Sequence, residues 1–95
     1  MPAATPAQAH YNIQLIRFRK QASLAEFAQR EGLIGETFRL EPTGGPARWH
    51  PLLLGAFADR AAADAALESL SPRLRRLSPF VRSLSGERLV PITEP

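Results

Sequence analysis

The sequence predicts an α+β fold, a four-stranded antiparallel sheet with two helices on one face. Two observations carry this expectation. Stretches of period-two alternation and stretches of helical periodicity follow one another in the order β-α-β-β-α-β. A Gly-rich turn, Pro42-Thr43-Gly44-Gly45-Pro46, separates the middle two strands and implies a hairpin. The length of 95 residues suits one domain. A chain of this size buries about two-thirds of its unfolded surface, which allows a single modest core.

The elements follow in order. Residues 1–10 are rich in Pro and Ala, lack periodicity and read as a linker. In Tyr11 to Phe18, Ile13 and Leu15 alternate with Asn12 and Gln14, which marks the first strand. Ser23 then stands three residues before Glu26, a capping-box spacing that opens a helix with Leu24, Phe27 and Ala28 as its apolar stripe. Gly32 is placed to end that helix. Glu36 to Glu41 reads as the second strand, with Phe38 and Leu40 on one face, and Arg48 to Phe57 as the third. Asp59 caps a second helix, whose packed face is Ala62, Ala63, Ala66, Leu67 and Leu70. Ser71-Pro72 stops it, Leu74 and Leu77 cover a short connector, and Pro79 to Leu84 forms the last strand. Residues 11–84 thus make the domain, and 85–95 a tail in which Leu89, Val90 and Ile92 pack locally. Right-handed crossovers in both βαβ halves give a ferredoxin-like sandwich, with the first and third strands central and one sheet face open.

Composition narrows the function. There is no cysteine, which excludes disulfides and thiolate metal sites, and two histidines argue against zinc. No cofactor is expected. The formal charge is 12 − 9 = +3, and every basic residue but Lys20 is arginine. These charges are spread along the chain, as in a soluble surface, yet a pI near 10.6 permits an anionic partner. The N-terminus lacks the basic and apolar regions of a signal peptide, and no apolar run approaches the roughly 20 residues of a membrane helix.

Alternation assigns the faces. With Ile13, Leu15, His50, Leu52, Leu54 and Val81 turned to the helices, the outward set contains Gln14, Ile16, Trp49, Leu53, Phe80 and Arg82, beside Asn12 and Pro51. Two aromatics and two aliphatics with an amide and a guanidinium form an apolar patch with directional donors, the make-up of a binding surface. Pro51 cannot donate to a ladder in a central strand, so either a bulge sits there or water replaces that ladder bond, and a bulge would alter the facing of Leu53.

Several motifs resemble one family. Tyr11-Asn12-Ile13-Gln14-Leu15 resembles the opening strand of SPOR domains, with its characteristic Gln. Trp49-His50-Pro51-Leu52-Leu53-Leu54-Gly55-Ala56-Phe57 is similar to the family's third strand, where an aromatic pair leads into Gly-x-Phe. Asp59 to Leu70 looks like its Ala-rich second helix, and Pro79-Phe80-Val81-Arg82 like its closing Pro-Trp-x-Arg strand. Loop lengths are nearest to DamX-like cell-division members. The resemblance covers roughly residues 10–88. It implies a periplasmic domain that binds septal peptidoglycan, preferring glycan strands stripped of stem peptides, in a parent protein anchored to the membrane by a segment outside this chain. It implies a C-terminal position in that parent and a binding site at Gln14, Arg17, Trp49 and Phe80. Arg17 stands where DamX-like members carry a small hydroxyl residue, and Phe80 replaces a Trp.

Chemistry points to binding rather than catalysis. Glycan hydrolysis needs two carboxylates across a cleft, and none of the nine acidic residues falls on the inferred open face. Trp49 and Phe80 offer flat apolar surfaces to sugar rings, Gln14 donates and accepts, and Arg17 or Arg82 suits a lactyl carboxylate. A monomer is expected. One alternative is single-stranded RNA binding as in an RRM, which shares the strand order, although the third strand lacks the RNP1 run, so no nucleic acid is expected. Another is a protein-docking module using the same face. The aromatic patch alone fits all three.

Overall fold

The computed structural model describes residues 9–41, 48–85 and 87–94. Its elements are β1 (Tyr11–Phe18), α1 (Ala22–Arg30), β2 (Thr37–Leu40), β3 (His50–Phe57), α2 (Arg60–Glu68), the single-turn α3 (Pro72–Arg75), β4 (Phe80–Ser83) and β5 (Leu89–Pro91). The Pro42–Pro46 turn and the first eight residues of the linker lie outside the described residues.

The sheet has five strands, not four, in the order β4-β1-β3-β2-β5, and every neighbouring pair is antiparallel. A four-stranded ferredoxin-like sandwich therefore does not describe it fully. β1 lies between β4 and β3, as two right-handed crossovers require. The fifth strand comes from the segment read as a tail. Leu89 and Val90 pair with Leu40 and Arg39, the Ile92 N–H donates to the Thr37 carbonyl at 3.0 Å, and Leu89 and Ile92 are buried. The sequence cue was Leu89-Val90 with Ile92, too short an alternation to signal a strand without its partner β2.

The helix ends have local causes. α1 begins at Ala22, and its N-cap is Gln21, two residues ahead of the expected Ser23 cap and without a side-chain capping bond. Ser23 lies within the first turn, so the capping box does not form. At the other end Gly32 adopts φ +71°, and Gly32 and Leu33 donate back to the Gln29 and Ala28 carbonyls at 3.2 and 2.7 Å, a Schellman closure. Asp59 caps α2 as expected, with Oδ1 accepting from the Ala62 N–H at 2.8 Å. Arg73 bridges to Glu31 at 2.8 Å and so ties α3 to the end of α1.

Two apolar clusters flank the sheet. The larger joins Ile13, Leu15 and Leu52 of the sheet to Leu24, Phe27 and Ala28 of α1, with Phe18 tilted against Phe27 at 5.7 Å between ring centres. The smaller gathers Leu53, Ala56 and Leu89, with Phe38, Leu40, Leu84 and Ala9 packed around them. Strand register places the smaller cluster on the outer face. Leu53 stands opposite Gln14 on one side and Phe38 on the other, and Leu40 stands opposite Leu89.

Candidate functional site

The phase of β1 decides what the outer face presents. Gln14 and Ile16, two residues apart, sit opposite Leu53 and Leu52, which are adjacent, so β1 carries one extra residue there. The bulge lies in β1 and not at Pro51, which stays paired in β3 opposite Arg17. Beyond the bulge the facing inverts. Ile16 packs with Phe18 against the helix-side core, and Arg17 joins Gln14 on the outer face.

A second irregularity adds a residue to β3 between Leu54 and Phe57, opposite Ile13 and Tyr11. Gly55 sits in it at φ +74°, and a Cβ there would come within 2.6 Å of the Phe57 ring, so glycine is required on both counts. This offset places Ala56 in the outer cluster while Phe57 packs on the helix side.

Six side chains line a shallow groove of about 230 Å³ on the outer face, namely Gln14, Arg17, Leu40, Trp49, Pro51 and Arg82. Trp49, just ahead of β3, is 39% exposed. The Arg17 guanidinium lies 4.5 Å from the centre of its ring, and that of Arg19 lies 5.1 Å away. Such cation–π contacts hold long side chains in place at about 0.5–1 kcal/mol each on a surface. On the far side, Arg82 Nη1 donates to Gln14 Oε1 at 2.9 Å, which ties β4 to β1 across the face. With Oε1 engaged, the NH₂ group of Gln14 has no partner among the described residues. No carboxylate is among the six lining residues, and among the described residues Arg17, Arg19 and Arg82 form no ion pair.

Four of the seven residues expected at the site therefore line one groove: Gln14, Arg17, Trp49 and Arg82. Phe80 stands beside them, opposite Gln14 and 50% exposed, without lining the groove. Two expectations are corrected. Ile16 is turned to the helix side by the bulge. Leu53 does face outward but is fully buried, because the chain around Leu84 and Leu89 packs over it. Leu40 was not expected at the site, although its alternation with Phe38 placed both on one face. Arg19 was also missed, and its spacing of two from Arg17 was the available signal.

Asn12 is the one buried polar side chain of the outer face without a hydrogen bond among the described residues. It stands opposite Arg82, is 0% exposed, and neither amide atom has a partner.

The family model of the SPOR domain matches residues 7–83, which cover β1 through β4. This chain belongs to the SPOR domain family, a family of peptidoglycan-binding, generally non-catalytic domains associated with the cell wall and cell division. No curated protein and no solved structure matches it. β5 lies beyond the matched span. Among the described residues there is no cluster of metal-binding side chains, and no helix is long and apolar enough to cross a membrane.

Proposed function

We propose that this domain binds septal peptidoglycan through glycan strands lacking stem peptides, without catalysis, and so directs a parent protein to the division site in the periplasm. In this reading an anchor outside the chain holds the parent to the membrane, and the domain acts as a monomer. The single observation that supports it most is the groove: an exposed Trp49 beside Gln14, Arg17 and Arg82, on the sheet face opposite the helices, in a chain of a peptidoglycan-binding family. An open, shallow groove suits a linear polymer that lies across a sheet, and it lacks the paired carboxylates of a glycosidase among its lining residues. Phe80 extends the apolar surface past Gln14 and gives a second platform along the strand.

Co-sedimentation tests this. The domain is mixed with intact sacculi and with sacculi whose stem peptides an amidase has removed. Pelleting mainly with the stripped sacculi, weakened in folded Gln14→Ala and Trp49→Ala variants, is the expected result. A folded wild-type domain that pellets with neither preparation overturns the proposal.

A further inference from the structure

We infer that the open edge of β4 is a docking site for an acidic, extended segment of a partner polypeptide, which adds to the sheet as a strand beside β4. This surface runs along the sheet edge, outside the groove, and the inference does not depend on the glycan reading.

Three features lead to it. First, β4 stands at the end of the sheet, and among the described residues β1 is its only neighbour. The Leu84 N–H donates to the His10 carbonyl at 2.8 Å, in register with the β1–β4 pairs. By the alternation of an antiparallel ladder, Phe80 and Arg82 then turn their backbone groups to β1, while Val81 and Ser83 turn theirs to the open edge. Such an edge is a template for one more strand. The opposite end of the sheet is less suited, since β5 is three residues long and ends in Pro91, which has no N–H. Second, each side-chain face of an added strand meets a feature. Residues beside Phe80 lie on the outer face, where that ring is 50% exposed. Residues beside Val81 fall on the helix side, where Leu67, Arg75, Ser78 and Pro79 line a pocket of about 220 Å³ next to the start of β4. Main-chain bonds then supply affinity, and the two faces supply selection. Third, the surroundings are basic. Residues 69–86 contain four arginines and no Asp or Glu, and Arg75 and Arg76 form no ion pair among the described residues. A carboxylate entering the pocket pairs with the Arg75 guanidinium, whereas a basic segment is repelled. The segment that fits therefore alternates acidic residues on the helix side with apolar residues on the outer face.

The test titrates the isotope-labelled domain with an alternating Glu–Val peptide of about six residues, the usual length of a strand, and follows the amide resonances by NMR. The Val81 and Ser83 amides should shift most and the Trp49 indole N–H little. A Lys–Val peptide of the same length lacks the charge-assisted contact and should bind about tenfold more weakly or worse. A fully N-methylated Glu–Val peptide, which cannot donate to the edge, should not bind. Arg75 is exposed, so Arg75→Glu leaves the fold intact and should reverse the preference to the Lys–Val peptide. Absence of shifts at Val81 and Ser83, equal affinity for the two peptides, binding of the methylated peptide, or an Arg75→Glu domain with the wild-type preference each overturns the inference. So do shifts centred on Gln14 and Trp49, which would put the peptide in the groove. Concentration-dependent shifts of Val81 and Ser83 in the domain alone would give the edge to a second copy and overturn it as well.

Discussion

Leu53→Ala removes the branched end of a side chain that is 0% exposed, from a cluster of Ala56, Leu89, Phe38, Leu40, Leu84 and Ala9. At about 0.8 kcal/mol per buried carbon, the lost transfer energy is about 2.4 kcal/mol. The surrounding side chains come from β2, β3, β5 and the chain flanking the sheet, and the pleat prevents them from collapsing fully, so a residual cavity adds about 1 kcal/mol. The expected loss is therefore about 3–4 kcal/mol. A 95-residue domain has a total stability of about 5–14 kcal/mol, so the variant folds but has a much lower margin. Its melting temperature should fall by about 12–25 °C. Urea unfolding followed by circular dichroism measures the loss, and the fluorescence of Trp49, the sole tryptophan, reports on the groove in the same titration. Below its transition the variant should still pellet with stripped sacculi, because Leu53 is beneath the surface and not on it. A loss under about 1 kcal/mol, combined with abolished pelleting, would refute the reasoning: Leu53 would then be an exposed ligand contact and the second cluster would not exist.

Three further outcomes follow from the same structure. Asn12→Leu replaces a buried amide that has no partner among the described residues with an apolar group of similar size, and should raise stability by about 1–2 kcal/mol in urea; a decrease would show that the amide is satisfied. Gly55→Ala should cost at least about 1–2 kcal/mol from the positive φ alone, with an added penalty from displacement of the Phe57 ring; an unchanged denaturation midpoint contradicts the β3 bulge. Asp59→Ala removes the α2 cap and should cost about 1 kcal/mol in thermal unfolding while leaving sacculus binding intact, since α2 is on the opposite side of the sheet from the groove.

The sequence carried the local structure well. Alternation located β1, β3 and β4 to within a residue or two, Asp59 signalled the start of α2, and Gly32 the end of α1, because these features depend on residues close in the chain. The Ser23–Glu26 spacing placed the cap two residues too late, since the backbone entered the helix at Ala22 before that motif applied. At the site, Gln14, Trp49 and Arg82 were legible from the period of two. Arg17 was reached only through the family resemblance, since strict alternation puts it on the helix side.

What the sequence by itself determined is the order of elements, the family, and the residue types that meet at one face. Only the tertiary structure decided the phase of β1, the burial of Leu53 and the fifth strand. The reason is physical. A bulge exists only relative to the strand opposite, so the inversion that hides Ile16 and presents Arg17 is a property of the β1–β3 pairing. Likewise Leu89-Val90-Pro91 becomes a strand only where β2 offers a free edge, and in doing so it brings Leu89 over Leu53.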